Sequence, residues 1–143
     1  MTQEPDSAAP DLLAELDAAA CTRLLAAVRF GRLAVVEGGV PRIVVLNFML
    51  DGADVLFRTK PDTLAARLTR GDASVPAEFE VDDALSVQRA GWSVIVKGLL
   101  GREDDDRVIA SARSRITAWA QGERDVVLRL RAERLTGRQV GRL

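Results

Sequence analysis

Apolar and polar positions in the first part of the chain predict a helical segment followed by a meander of strands. After Asp11, apolar side chains recur at intervals of three and four residues, which is typical of one or two amphipathic helices ending by Gly31. Two apolar runs, Leu33–Val36 and Ile43–Leu50, then flank a Gly-Gly turn, as in a β-hairpin. A second turn leads to Asp54–Thr59, so we expect three antiparallel strands joined by tight turns.

The next part of the chain combines two further helices with two further strands. Thr63–Leu68 predicts a short helix, which is followed by strands at Ser74–Val81 and Trp92–Leu99 with a largely polar loop, residues 82–90, between them. Beyond an acidic run at 103–106, apolar residues at helical spacing predict another helix; they are Val108, Ile109, Ala112, Ile116 and Trp119.

A sixth strand is predicted from the alternation of apolar residues over Arg124–Arg134, ending at Thr136-Gly137-Arg138. Six antiparallel strands with few helices predict a mainly β (α+β) fold, a six-stranded antiparallel β-barrel with flanking helices, because closure of the sheet removes exposed edges. Residues 1–10 are rich in Pro, Ala and acidic side chains, as a disordered tail would be. Residues 11–143 are expected to form a single domain.

Composition and charge narrow the range of partners. The 143 residues include 20 basic and 21 acidic side chains, a net charge of −1, so the chain lacks the basic excess of a non-specific nucleic-acid binder. No apolar stretch approaches the roughly 20 residues of a membrane-spanning helix, and the first residues lack the basic start and apolar run of a secretory signal. We therefore expect a cytoplasmic protein with no nucleic-acid or membrane partner.

The chain has no histidine and one cysteine, Cys21, and this excludes most metal and nucleophile chemistry. Histidine-dependent triads, haem ligation by histidine and histidine-containing zinc sites are ruled out, and one thiolate cannot hold zinc or an iron–sulfur cluster. We predict no metal site. Any chemistry would rest on carboxylates, lysine, hydroxyls or a bound organic cofactor.

An anion site is suggested where the third strand ends. Arg58 can bind phosphate oxygens through two donors and Thr59 adds a hydroxyl, while Pro61-Asp62-Thr63 begins a helix whose backbone N–H groups favour an anion. In the alternative interpretation, Arg58 is a surface charge at a strand end and Thr63 is only a helix cap. The residues by themselves leave both interpretations open.

Other polar and aromatic positions also allow two interpretations. Asn47, in an otherwise apolar strand, needs a hydrogen-bond partner if it is buried, and either a ligand or a neighbouring loop could supply one. Trp92 could stack on a ligand or fill a core. Glu80 and Asp82 share one strand face, where they could do acid–base work or form a solvated surface. Arg138 could reach an acidic ligand or lie at the surface.

Several short strings occur in order along nearly the whole chain, from about Asp11 to Val140. They are GRLA at 31–34, Leu46-Asn47-Phe48, FRT at 57–59, FEVD at 79–82, GWSV at 91–94, Trp119-Ala120 and Thr136-Gly137-Arg138. Together these strings resemble the pyridoxamine 5′-phosphate oxidase-like family of split β-barrels, in its branch of short actinobacterial-type flavin proteins.

The resemblance implies a homodimer that holds flavin mononucleotide (FMN), or alternatively a deazaflavin (F420), at the subunit interface. The resemblance implies that the cofactor phosphate is contacted by Arg58, Thr59 and Thr63. It implies that the isoalloxazine ring lies against the backbone and side chains of Leu46, Asn47 and Phe48. The other subunit is expected to contribute Trp92 and Ser93.

Two positions depart from the family pattern. Leu64 stands where a lysine commonly follows the threonine of the short helix, and Val45-Leu46 stands where a proline commonly precedes the Asn-Phe pair. Loss of the lysine removes one charge partner of the phosphate, so the cofactor could bind weakly or not at all.

The resemblance therefore implies an FMN-dependent oxidoreductase of a small-molecule substrate, with no catalytic side chain assigned. The alternatives are a non-catalytic flavin or deazaflavin carrier or redox sensor, and a cofactor-free dimer with a degenerate site. Oxidation of pyridoxamine 5′-phosphate itself is not expected, because in the family that activity needs a histidine near the C-terminus and this chain has none.

Overall fold

The computed structural model describes residues 13–85, 90–117 and 126–141. Within these residues the strands are β1 (Ala14–Leu16), β2 (Phe30–Glu37), β3 (Val40–Asp51), β4 (Asp54–Thr59), β5 (Val75–Leu85), β6 (Ala90–Arg102) and β7 (Val126–Val140). The helices are α1 (Ala18–Ala26), α2 (Leu64–Leu68) and α3 (Asp106–Arg115). The mainly β, antiparallel fold with a few helices is therefore confirmed.

The strands close into a ring because β6 has two neighbours. β2, β3 and β4 form the predicted meander, and Gly38 and Gly39, both with positive φ, make the tight turn between β2 and β3. β5 pairs with β2 and with β6, and β6 pairs along its length with β7. The first part of β7 also pairs with β4, which completes the ring, while β1 is added beside the last part of β7.

Alternation along the strands fills the inside of the ring with apolar side chains. At its centre the ring of Phe79 makes edge-to-face contacts with Phe48 and Phe57, at centroid distances of 4.8 and 4.9 Å. Helix α1 packs against this core through Cys21 and Leu25, both of which are buried. The core therefore joins residues from the first helix, the meander and the later strands.

The outside of the ring is covered unequally. Helix α3 packs on the outer face of β4 and β7, where Leu56 and Val127 form a small cluster with Ala112 and Ile116. By contrast, the outer face of β2 and β3 carries exposed apolar side chains: Phe30, Val36, Ile43 and Val45. We call this set of four residues the apolar face.

The N-terminal prediction of helix from Asp11 to Gly31 is partly wrong. Ala14–Leu16 is a strand, because its backbone pairs with β7, and α1 begins only at Ala18, where the side chain of Asp17 accepts a hydrogen bond from the backbone of Ala20. Gly31 does not end a helix; it lies inside β2, where a side chain would collide with Phe79. The glycine serves close packing in the sheet, a requirement that its local sequence does not reveal. Asp11 lies outside the described residues.

The last three predicted strands, β5, β6 and β7, are longer than expected. The predicted loop at 82–90 is largely strand, since β5 continues to Leu85 and β6 starts at Ala90; residues 86–89 lie outside the described part of the chain. β7 continues to Val140, beyond the predicted end, because it pairs with both β6 and β1 there. With β1, the described strands number seven instead of the predicted six. The predicted tail at 1–10 and Trp119 also fall outside the described residues.

Candidate functional site

Six of the eight predicted cofactor residues lie around one end of the β3–β4 pair. The pairing of these strands ends at Phe48 and Phe57, so the adjoining residues Asn47 and Arg58 lie across from each other on the outer face. Leu46 is the third predicted residue of β3. The chain then leaves β4 through Thr59 and reaches Thr63 at the start of α2.

The two threonines are joined by hydrogen bonds within this turn. Thr59 is fully buried, and its hydroxyl lies 2.9 Å from the hydroxyl of Thr63. The Thr63 hydroxyl donates to the carbonyl oxygen of Lys60 at 3.0 Å, so Thr59 is the donor in the threonine pair. The Thr63 oxygen also accepts from the backbone of Ala66 at 3.4 Å, which makes Thr63 the helix cap that the alternative interpretation expected.

Arg58 is half-buried and holds the end of α3. Its Nη1 donates to the carbonyl oxygens of Arg113 at 3.0 Å and Ile116 at 3.3 Å. A cation is favoured at a helix C-terminus, where carbonyl groups lack partners and the helix dipole is negative. Arg58 therefore has a structural role that neither interpretation of the sequence included. A cofactor phosphate would have to bind the same guanidinium group that holds α3.

The three predicted residues of β3 present different groups to the surface. Leu46 and Phe48 are buried in the core of the ring, so it is their backbone that a cofactor could contact from outside. Asn47 is half-buried, and its Nδ2 donates to the carbonyl oxygen of Arg29 at 3.4 Å. That carbonyl also accepts from the backbone of Phe48 at 3.1 Å, so the segment before β2 supplies the amide partner that the second interpretation allowed.

Trp92 and Ser93 lie in a different part of the ring. Trp92 is buried in the core, and Ser93 points outward from β6 opposite Arg138. Arg58, by contrast, pairs with Val127, which precedes Arg138 by about eleven residues on β7. These two positions of β7 are therefore separated by roughly 36 Å along the strand. In the other direction β3, β2 and β5 separate β4 from β6. One chain therefore does not bring the two predicted groups of residues together.

The carboxylates of β5 are engaged by an arginine of β2. Arg32 donates to Glu80 at 3.1 and 3.3 Å and to Asp82 at 2.6 Å. Burial raises the pKa of Glu80, whereas the hydrogen bond with Glu80 lowers the pKa of Asp82. These side chains form an ion-paired cluster beside the apolar face, which corresponds to the surface interpretation of the pair.

Arg129 forms an ion cluster that sequence reasoning missed. It donates to Asp51 at 2.6 Å, to Asp54 at 3.0 Å and to Glu103. Burial opposes its charge, but the three carboxylates outweigh burial and raise the pKa of Arg129. The alternation of β7 indicates an outward side chain, but its acidic partners come from two distant turns, and no local signal identifies them.

The chain matches known proteins along most of its length. A sequence model described as pyridoxamine 5′-phosphate oxidase matches residues 17–139. An uncharacterized protein of Mycobacterium tuberculosis is 31% identical over 125 residues, which are 86% of this chain and 82% of that protein.

Solved structures have the same fold. The FAD binding protein from Mycobacterium smegmatis aligns with a TM-score of 0.68 and 26% identity, covering 90% of this chain and 98% of that one. A FAD-binding protein from Mesorhizobium loti aligns with a TM-score of 0.74 and 25% identity, covering 91% and 99%. Within the described residues, no helix combines the length and the apolar character needed to cross a membrane.

Proposed function

Because the chain belongs to the pyridoxamine 5′-phosphate oxidase family, we propose that it binds a flavin between two copies of itself and uses it to oxidise or reduce a small molecule. FMN is the proposed cofactor, since the predicted contacts include one phosphate site. FAD is the second candidate cofactor, because two of the similar structures are FAD-binding proteins. A deazaflavin is the third candidate cofactor.

The observation that supports flavin binding is the row of outward side chains where the β3–β4 pairing ends. Arg58 lies across from Asn47, and Phe30 is the register partner of Asn47 on the other side, with Val45 exposed nearby. A guanidinium, an amide and an apolar surface suit a ligand with an anionic phosphate, a polar ring edge and a flat apolar face. The residues therefore fit the group.

A second copy of the chain is proposed because one copy leaves the site incomplete. Trp92 and Ser93, the residues predicted to complete the cofactor contacts, lie beside the opposite end of β7 from Arg58. The apolar face, with Ile43 71% and Val45 61% exposed, is the kind of surface that soluble proteins cover with a partner. A two-fold dimer is the commonest arrangement that would do so.

In this proposal each group of residues has a limited task. Arg58 would neutralise the phosphate while it also holds α3, and the backbone from Leu46 to Phe48 would position the ring. Ser93 from the second copy would contact the cofactor, and the apolar face would exclude water from it. The flavin supplies the hydride or electron chemistry, so the chain needs no catalytic histidine.

The test is a titration of purified protein with FMN, FAD and a deazaflavin, followed by absorbance and calorimetry, with native mass spectrometry for the number of subunits. We expect a dimer that binds FMN, and a loss of at least tenfold in affinity for Arg58→Gln, the size expected when a charge-assisted hydrogen bond is removed. Arg107→Gln, which removes an exposed arginine of α3, is the matched control. Folded wild-type protein that binds none of the three compounds would refute the proposal.

Because Arg58 also holds α3, its replacement affects stability as well as binding. Asn47→Ala separates the two effects. The Asn47 amide donates to the carbonyl oxygen of Arg29 at 3.4 Å, a long hydrogen bond to the segment before β2, so its loss should weaken FMN binding while leaving the melting temperature nearly unchanged. If Asn47→Ala and Arg107→Gln bind FMN equally well, Asn47 is not a cofactor residue.

A cofactor-free dimer is the second candidate function, and the structure contains an observation that favours it. The hydroxyls of Thr59 and Thr63 bond to each other, Arg58 bonds to α3, and Leu64 replaces the usual lysine. A dimer that binds no flavin would identify this case. A dimer whose bound flavin is not reduced by nicotinamide cofactors would instead identify a flavin carrier or redox sensor.

A further inference from the structure

A groove crosses the outer face of β6 and β7 beside β1, away from the Arg58 end of the sheet. Its volume is about 560 Å³, which lies within the range of small-molecule sites, roughly 300–1,000 Å³. Its polar and apolar lining includes Ser93, Ile95, Lys97, Arg134, Thr136 and Arg138. We call it the basic groove.

The pairing of β6 with β7 produces this lining. Ser93 lies opposite Arg138, Ile95 opposite Thr136 and Lys97 opposite Arg134. These six side chains share the outer face, because the intervening residues of β6 are buried in the ring. Three cross-strand pairs thus place three cations and two hydroxyls on one continuous strip.

Two of the three cations have no acidic partner among the residues that the structure describes. Lys97 forms an ion pair with Glu78 at 3.0 Å. In the described part of the chain, Arg134 and Arg138 have neither an ion-pair nor a hydrogen-bond partner. Glu15, which pairs with Arg138 in the β1–β7 register, is the one carboxylate among the lining residues. In a chain of net charge −1, this is a local concentration of positive charge.

We propose that the basic groove binds the phosphate groups of a nucleotide. Arg134 and Arg138 are roughly 13 Å apart along β7, so their flexible arms can converge on a diphosphate above Thr136. The hydroxyls of Ser93 and Thr136 supply further hydrogen-bond donors, and Ile95 offers an apolar surface to the rest of the nucleotide. The ligand class is therefore a phosphate ester.

Two sources could supply this phosphate ester. One is the adenosine-diphosphate part of a dinucleotide flavin held mainly by a second copy, since Ser93 is also predicted to reach that cofactor. The other is a separate phosphorylated nucleotide or substrate. The choice between the sources rests on the proposed flavin function, whereas phosphate binding by the groove does not.

The first experiment measures binding of ADP and inorganic pyrophosphate to flavin-free protein by calorimetry at low and high salt. We expect ADP to bind, more weakly at high salt, and Arg134→Gln/Arg138→Gln to weaken binding at least tenfold. Arg134→Lys/Arg138→Lys should retain most of the affinity, because it keeps both charges. Arg23→Gln/Arg107→Gln removes two exposed arginines from α1 and α3 and is the charge-matched control.

The outcomes separate this proposal from the flavin proposal. If wild-type protein binds neither ADP nor pyrophosphate, or if the Arg134/Arg138 glutamine variant is folded and equals its control, the groove proposal is overturned. If ADP binds but no flavin does, the groove proposal stands and the flavin function fails. A preference for FAD over FMN that the glutamine variant loses identifies the dinucleotide flavin as the source. Simultaneous binding of ADP and flavin identifies a separate ligand.

Discussion

On the outer face of β4 and β7, Leu56 and Val127 are buried beneath α3, whereas on the outer face of β2 and β3, Ile43 and Val45 are exposed to solvent. Both faces arise from the same alternation of strand residues. The first is completed by a helix of the same chain, to which Arg58 is hydrogen-bonded. The second has apolar residues without such a cover in the described part of the chain. Outward apolar residues of one sheet can therefore belong to the core or to an interface.

The largest expected effect comes from the ion cluster at the edge of the covered face. Arg129→Leu leaves the buried Glu103 and the more exposed Asp51 and Asp54 without their cation. Removal of one partner from a buried ion pair, as Arg129–Glu103 is, costs about 3 kcal/mol or more. Urea unfolding measures the loss. The control is Arg131→Leu at an exposed position of β7, which should stay within about 0.5 kcal/mol of wild type. Equal effects of the two variants would mean that the cluster does not stabilise the fold.

The second prediction compares the two faces directly. Leu56→Ala should lower the free energy of unfolding by about 2–4 kcal/mol, because it leaves a cavity under α3. Ile43→Ala should change the stability of the isolated chain by no more than about 0.5 kcal/mol, because its side chain is exposed. Urea unfolding at low protein concentration is the measurement. A larger loss for Ile43→Ala would show that the apolar face is covered within one chain.

The third prediction concerns association. Ile43→Lys/Val45→Lys introduces two charges into the apolar face and should convert a dimer to a monomer, with the far-ultraviolet circular dichroism unchanged. Light scattering after gel filtration measures the mass. The control, Ala110→Lys/Ser114→Lys, adds the same charges to exposed positions of α3 and should remain a dimer. A variant that is still dimeric after both apolar-face changes would place the interface elsewhere.

The smallest effect is expected at the carboxylates beside the apolar face. The pKa of Asp82 is lowered, so its ionisation stabilises the folded chain at neutral pH, and this contribution is lost as the pH falls through the carboxyl range. The pKa of Glu80 is raised, so its ionisation opposes folding at neutral pH, and that cost disappears in acid.

Asp82→Asn should therefore lower the free energy of unfolding at neutral pH by up to about 1 kcal/mol, the range of exposed ion pairs, while Glu80→Gln should leave it unchanged or raise it. Both differences should shrink as the pH falls below about 4, where carboxyl groups of the unfolded chain become protonated. The Asp82 contribution disappears only at still lower pH, because the pKa of Asp82 in the folded chain is lowered. Unfolding curves across this pH range provide the measurement. A greater loss for Glu80→Gln than for Asp82→Asn at neutral pH would contradict the assigned directions.

Much of the fold could be predicted, but less of the site. β4 has the predicted bounds, and Thr63 caps α2 as its position before a short apolar run indicates. The strand at Ala14–Leu16 could not be predicted, because it depends on pairing with β7, more than 100 residues later in the chain. The roles of the predicted cofactor residues stay predictions, since they depend on a ligand and on a second copy.

The sequence by itself determined the mainly β class, the antiparallel meander and the lack of histidine chemistry, because alternation, turn glycines and residue types act locally. Only the tertiary structure decided that β6 closes the ring with β7, that α3 covers one outer face, and that Arg58 bonds to the end of α3. These outcomes depend on contacts between residues far apart in the chain, such as Arg58 and Ile116. Local patterns do not encode such contacts.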